Sequence, residues 1–514
     1  MNGSSLQRAG AAVLLVSALV KAVGYAREAV VAAVFGTTAA IDLYLAAVAL
    51  PAAICTVVYY SLPNAFVPLF AGDRTTTQRA RRAAWGVAGL MLALSTAMWL
   101  LARPITDTLA SGFSPEARTE SAGLLRIGAW AVVLASAEAL GRAHLLARRC
   151  FVRPGLAFVW QSVAVIVAAI VWPGLGARSL MWGYVVGSGL AAAWNFVLIP
   201  HEEPRGTTSP LPDDSGMVRP IGRWVATVLI IDAFAQFFSL IDRHLGSYLP
   251  AGSIAALQYG GQIAFIPSSI LGMGLSTAIF PFLSRAVAEG DRVQIDTIID
   301  RAVRWMILGA VPLVVWMVAF RAEVVILLFE RGAFDAHSRQ MTSVVLTALA
   351  VGLLPTVLTM LLSRVFYSSR CWRPLFYGSL IGVMVKAACG WWWVARYGVA
   401  GLAASTSVAY GAWLIPILWS LREHVPTGRL VAWSFYAARV LFLTAIPAVI
   451  TVWLAGVFLP ERMSPTLLAV VKLGAASVLG AMTILILGPH WGIAESATVR
   501  SWLAGLFRHA RGGR

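Results

Sequence analysis

Three ionisable side chains, Lys21, Arg27 and Glu28, interrupt the apolar run "VKAVGYAREAVVAAVFG" at residues 20–36. At roughly 100° per residue, Lys21 and Glu28 share nearly one helical face, with Gly24 opening the surface beside them, while Arg27 projects about 100° away. Seven residues also part Lys21 from Glu28 by about 10 Å along the axis, beyond the reach of a direct ion pair. A charge inside a membrane segment costs about 2.5 kcal/mol or more on insertion scales, so such groups face protein, water or one another. Two readings stay open: a salt-bridge network with a partner from another helix, or a cationic face lining a solvated cavity. A cationic face suits an anion, with phosphate the foremost candidate.

Other charges fall in similar surroundings. Lys386 and Lys472 complete the lysines of the chain and lie in apolar runs with Asp232 and Arg439; Asp42, Arg126, Glu138 and Arg243 stand closer to the ends of such runs. Lys472 and Arg439 are expected to snorkel or pair. Covalent chemistry is not indicated. There is no Walker loop, no glycine-rich turn after a strand, no HExxH and no nucleophile elbow. The seven histidines are scattered. Cys55 and Cys389 lie within apolar runs, Cys150 and Cys371 at their ends, and none forms a CxxC or a Cys/His cluster. The expectation is a transporter and not an enzyme, with no catalytic residue, no metal and no cofactor. Its energy source would be the membrane potential, or Na⁺ or H⁺ taken up by Glu28, Asp42 or Asp232.

These residues need elements to hold them. Of 514 residues, 59% are hydrophobic and only 12% charged, with a mean hydropathy of +0.78. Soluble domains are nearer half apolar and a quarter charged. The apolar runs are long enough to cross about 30 Å of hydrocarbon at 1.5 Å per residue. About fourteen such spans are read along the chain, which makes it an all-α polytopic membrane protein. The first is too long and too charged for a cleaved signal peptide.

An even count puts both termini on one side. About 25 of the 40 Lys and Arg fall in the odd-numbered hydrophilic stretches, against about 8 in the alternate loops, so both termini are expected in the cytoplasm. The net charge of +17 is spread over these short loops, as topology and anionic lipid headgroups require, and no nucleic-acid partner is expected.

The longest hydrophilic stretch, "HEEPRGTTSPLPDDSGMVRP" at 201–220, reads as a cytoplasmic linker. It separates an N-terminal lobe of six spans (1–200) from a C-terminal lobe of six (221–424), leaving two further spans and a basic tail (425–514). The halves repeat: a span with Pro51 then "NAFVPLF" in one, a span with Pro267 then "TAIFPFL" in the other. Repeats in the same orientation imply pseudo-two-fold symmetry about the membrane normal with a cavity between the lobes, a transporter plan. Pro51 and Pro267 are read as kinks, tolerated where freed carbonyls face a cavity or a neighbouring helix. "GYVVGSG" (183–189) sets small residues four apart, a sign of close helix contact.

The stretch "KAVGYAREAVVAAVFGTTAAIDLYLAAVALP" (21–51), with "NAFVPLF" after it, resembles the opening of the MurJ/MviN lipid II flippases. "IDRHLGSYLPAGSIAALQY" (241–259), "LFERGAFDAHSRQMT" (328–342) and "LLSRVFYSSRCWRP" (361–374) extend the resemblance over the first twelve spans. It implies two six-helix lobes that open alternately to either side of a bacterial cytoplasmic membrane. The cargo it implies is an undecaprenyl-pyrophosphate-linked saccharide, lipid II or a related glycan precursor. Lys21 and Arg27 match the two basic positions thought to engage the pyrophosphate; Glu28 and Asp42 match the acidic ones. Cys55 stands where the family usually carries an arginine in its second span, and Gln262 where it carries one in its eighth. Export of an exopolysaccharide-type glycolipid, drug antiport and a transport-inactive envelope scaffold, with envelope-synthesis proteins as partners, are the alternatives.

Overall fold

The computed structural model describes residues 3–70, 74–148, 150–197, 233–369, 371–422, 425–458 and 463–501, and every regular element among them is helical. Apolar runs of this length meet no water that could satisfy their backbone, so pairing within each segment is the solution open to them. By contact density the chain divides into two units: Met1–Ala255 with Arg331–Asp335, and Ala256–Glu330 with Ala336–Arg514. The expected linker at 201–220 lies outside the described residues.

The first unit holds α1 (Gly3–Phe35), α2 (Ala39–Phe70), α3 (Arg74–Leu100), the short α4 (Ala102–Leu109), α5 (Pro115–Ala147), α6 (Val152–Val171), α7 (Ala177–Val197), α8 (233–246) and the start of α9 (Ser253–Ser268). Its core is α5 against α2 and α7, where Ala129, Ala131, Val132, Ala139 and Ala143 are buried to 0%. Small side chains on α5 let its neighbours approach closely. Local sequence also sets the helix start: the Ser114 hydroxyl accepts from the Ala117 amide at 3.2 Å and Pro115 takes the first helical position. The "GYVVGSG" glycines sit flush against α6; a Cβ on Gly183 would meet Val165 at 2.9 Å, and one on Gly187 would meet Gln161 at 2.6 Å.

The second unit continues α9 and adds α10 (Ser276–Glu289), α11 (Arg292–Ala319), α12 (Arg321–Phe329), α13 (Ala336–Val351), α14 (Leu353–Ser368), α15 (Arg373–Ser420), α16 (Thr427–Phe458) and α17 (Pro465–Leu487). The element order of the first unit recurs. In each, a long helix breaks after one residue (Leu101, Phe320) into a short one, a second long segment follows, and a helical hairpin closes the series. The hairpin glycines share their backbone angles, φ 55° and ψ −131° at Gly176, φ 55° and ψ −136° at Gly398. Four residues beyond each, Leu180 and Leu402 are both fully buried.

At Gly398 the continuous α15 doubles back. Gly378 lies against Trp413 and Gly401 against Trp393, while the buried Lys386 ammonium donates to the Leu402 carbonyl at 3.1 Å and the Thr406 hydroxyl at 2.5 Å. The two arms of this hairpin correspond to two of the apolar runs in the sequence, 375–395 and 398–420. Among the described residues nine helices are long and apolar enough to cross a membrane, or ten when α13 and α14, bent by 45°, are taken as one crossing. The two-armed α15 enters that count as one helix, and the expected fourteen is not confirmed by it.

The two prolines behave differently. α2 runs unbroken through Pro51, which is buried near Gly128. Pro267 instead precedes a π-helical turn, Ser269–Leu275, as a residue without an amide proton disrupts the regular ladder. The C-terminal helices are tied by charge as well as by packing. Lys472 on α17 meets Glu323 on α12 at 2.8 Å, Gly480 lies against Trp316, and the Trp433 indole donates to Asp300 at 2.8 Å. Arg439 donates to the Trp491 carbonyl at 3.2 Å. Of the two expectations, pairing is observed for Lys472, while Arg439 is held by a backbone carbonyl.

Candidate functional site

α1 brings the opening charges together on one helix and then treats them unequally. The Arg27 guanidinium lies 2.5 Å from the Glu28 carboxylate, and Glu28 is buried. Their backbone directions differ by about 100°, yet a guanidinium on a long stem can wrap around the helix to close the pair. Tyr44 on α2 and Tyr184 on α7 lie within electrostatic reach of Arg27. Its charge is therefore directed into the helices of its own unit and is substantially compensated there.

Lys21 is different. It is exposed, and among the described residues it makes no hydrogen bond or ion pair. One turn on, Gly24 has open space where a side chain would stand, with no atom within 4 Å. The pair of observations marks an open face of α1 on which Lys21 carries a cation with no partner among the described residues. Arg27 thus pairs with its neighbour on the same helix and not with a partner from another helix, and Lys21 stands on an exposed face of α1.

Asp42 is a helix cap. From the first turn of α2 its carboxylate accepts from the Gly252 amide and from the Ala255 amide, each at 2.7 Å, across 210 and 213 residues of sequence. These amides open α9, where backbone donors have no intrahelical partner, and a carboxylate there also complements the helix dipole. Arg243 on α8 lies within electrostatic reach of Asp42 and Glu28, and it donates to the Ile254 carbonyl at 3.3 Å. Arg243 was not singled out from the sequence as a site residue. The signal that joins it to this cluster is tertiary, since its partners come from α1, α2 and α9.

Around the cap, four loops of the first unit meet. The Ala333 amide donates to the Ala33 carbonyl at 2.7 Å; Gly36, Gly112 and Gly252 each approach the backbone of another loop, and Gly332 the Ala33 backbone near the end of α1, too closely for a Cβ. Gly36, Gly252 and Gly332 also have positive φ, at 59°, 90° and 59°. Glycine is required there twice over, by conformation and by contact.

The two positions where the resemblance led to an arginine are occupied otherwise. Cys55 is buried with Tyr184 as its hydrogen-bonding neighbour, and Gln262 is half-buried on α9. Asp232 lies outside the described residues. Among those described, no group of three or more His, Cys, Asp or Glu is placed to hold a metal ion.

The family described as "Lipid II flippase MurJ" matches residues 31–473. The lipid II flippase MurJ of Burkholderia cenocepacia is 26% identical over 426 residues, covering 78% of this chain and 80% of that protein. A probable lipid II flippase MurJ of a Synechocystis species is 22% identical over 470 residues, covering 87% of each. Among solved structures, a lipid II flippase MurJ in its inward closed conformation superposes with a TM-score of 0.76 at 17% identity, over 92% of this chain and 98% of that one. An inward-facing transporter of the multidrug resistance MATE family gives 0.63 at 15% identity, over 78% and 94%. These likenesses in structure concern the fold. The family match begins at Val31, so the open face at Lys21 rests on its own geometry.

Proposed function

The chain belongs to the lipid II flippase MurJ family, and on that premise we propose that it carries lipid II, a polyprenyl-pyrophosphate-linked saccharide, from the inner to the outer leaflet of a bacterial cytoplasmic membrane. Both termini would lie in the cytoplasm, as the distribution of arginine in the loops favours. The lipid tail stays in the bilayer while the headgroup crosses among helices. Such a crossing needs a cation that attracts the pyrophosphate without already being neutralised.

The observation that carries this reading is Lys21, exposed, without a partner among the described residues, and beside the open surface at Gly24. Arg27 would add to the local potential in a smaller measure, since Glu28 offsets it. An ammonium is a compact charge with three donors and suits a phosphate oxygen that has to be released again. Moving the anionic headgroup outward is favoured by an inside-negative potential by about 2.3 kcal/mol per charge per 100 mV. That bias works without nucleotide hydrolysis.

The Asp42 cap supplies a contact that a moving α9 would have to break. A carboxylate holding two amides at a helix start is formed or lost as a unit, which suits an element with two arrangements. Breaking it would free α9 from α2.

The test is rescue of cells depleted of their own lipid II flippase, with lipid II in the outer leaflet read by an externally added lipid II-cleaving enzyme. Wild-type chain and Lys21→Arg should support growth and exposure, and Lys21→Gln should lower the rate of exposure about tenfold, the effect of losing one charge-assisted contact of about 1.4 kcal/mol. Rescue by Lys21→Gln at the wild-type rate would overturn the assignment of Lys21. Absence of rescue by the wild-type chain would point to a different glycolipid.

A further inference from the structure

Another buried acid has none of the compensation found at Glu28 and Asp42. Glu138, on α5 in the core of the first unit, is 6% exposed, its Oε1 has no hydrogen-bond partner, and the side chain enters no ion pair. Arg142 stands one turn further along the same helix, at the spacing where a glutamate and an arginine ordinarily pair. It does not pair. Its guanidinium lies over the Tyr59 ring of α2, 4.1 Å from the centroid, and its buried Nε and Nη1 have no acceptor.

The surroundings repeat the same deficit. The Tyr59 hydroxyl has no partner, and the fully buried Asn195 of α7 donates to the Glu138 backbone carbonyl at 3.3 Å while its own Oδ1 stays unpartnered. Facing the carboxyl from α2 is Cys55, whose thiol is engaged with Tyr184 of α7. Among the described residues no cation forms an ion pair with the Glu138 carboxyl. A carboxylate in such a place would be a buried charge with neither counter-ion nor donor, and a group so placed is neutralised instead.

We propose that Glu138 is a proton-binding site of the first unit, protonated in the arrangement observed, with Arg142 held on Tyr59 as the counter-charge in waiting. When water reaches the carboxyl, its O–H bond breaks and the proton leaves as hydronium. The carboxylate left behind draws Arg142 across one helical turn into an ion pair, and Tyr59 loses its cation. Uptake of a proton reverses each step, and the arginine stays charged throughout. α5 packs on α2 and α7, so exchange of the Arg142 partner alters the α2–α5 contact directly. This makes the flippase of the preceding reading a proton-coupled one, and it rests on that reading for its transport consequence alone.

The test has one arm that needs no substrate. In purified protein, infrared difference spectra between acid and alkaline pH should show a protonated-carboxyl stretching band that titrates, is absent from Glu138→Gln, and is shifted in Glu138→Asp. In proteoliposomes, an imposed pH step should change the wild-type flipping rate by up to about tenfold per unit, and the rate of Glu138→Gln should be indifferent to it. A wild-type spectrum matched by that of Glu138→Gln overturns the proposal, as does an undiminished response to pH in that variant. A titrating band assigned to Glu138 in a protein that flips no lipid II under any condition supports the proton site and counts against the flippase reading. Glu138→Asp keeps the first arm decisive if the glutamine variant fails to fold.

Discussion

Replacing Asp42 by alanine removes two hydrogen bonds at once, both 2.7 Å long and both made to the opening amides of α9. Asp42 is 3% exposed, so salt screens this contact weakly and water does not replace it readily. A capping side chain is worth about 0.5–2 kcal/mol in ordinary surroundings, and charge-assisted bonds are roughly twice as strong as neutral ones. Leaving buried amides without an acceptor adds a penalty of about 1 kcal/mol or more. Together these place the loss near 3 kcal/mol. Asparagine keeps one acceptor and the shape while losing the charge, so Asp42→Asn should cost about half as much. Amide hydrogen exchange at residues 252–255 reads the quantity directly, because local opening exposes those amides. At about 1.4 kcal/mol per tenfold, exchange should accelerate on the order of a hundredfold in Asp42→Ala and roughly tenfold in Asp42→Asn, with α5 unchanged. Unaltered exchange at 252–255 in a folded Asp42→Ala protein would refute the reasoning, since the amides would then owe their protection to something else.

The ion pair between Lys472 and Glu323 joins side chains that are 21% and 18% exposed, so a double-mutant cycle with Lys472→Met and Glu323→Leu on thermal unfolding should give a coupling of about 1–3 kcal/mol. Each single change should destabilise more than the pair together. Gly176→Ala and Gly398→Ala should each lower stability by about 1–3 kcal/mol, because their shared backbone angles are open to glycine alone. Gly24→Ala, in a helical position with no atom within 4 Å, should instead gain up to about 1 kcal/mol in the same unfolding assay.

Much of the first-order reading depends on properties that a linear chain displays. Apolar run length decides that the elements are helices across a bilayer, because backbone groups in hydrocarbon have no other partner. The repeat was visible at two places, Pro51 with "NAFVPLF" and Pro267 with "TAIFPFL", and the structure extends it to the hairpins at Gly176 and Gly398. Gly176 follows the Pro173–Gly174 dipeptide, a turn signal, whereas Gly398 has no such dipeptide beside it. The boundary between two spans inside the continuous α15 was nevertheless legible, since the polar "ARYG" interrupts hydrophobicity at that point. A missing amide proton is a local fact, and its structural consequence differs with what packs around it: α2 stays helical through Pro51, and α9 passes into a π turn after Pro267.

By itself the sequence determined composition, periodicity and the presence of charge in apolar segments, and these set the fold class and single out α1. Which of its charges are compensated was decided by tertiary structure alone. Lys21 and Arg27 look alike in the chain, but Arg27 has Glu28 at 2.5 Å with Tyr44 and Tyr184 nearby, and Lys21 has none of these. Asp42 and Glu138 likewise read as acids near span ends, until α9 brings two amides to the one and no partner is brought to the other. The physical reason is that the cost of a buried charge depends on the groups within a few ångströms of it, and for Asp42 those groups stand more than two hundred residues away in sequence.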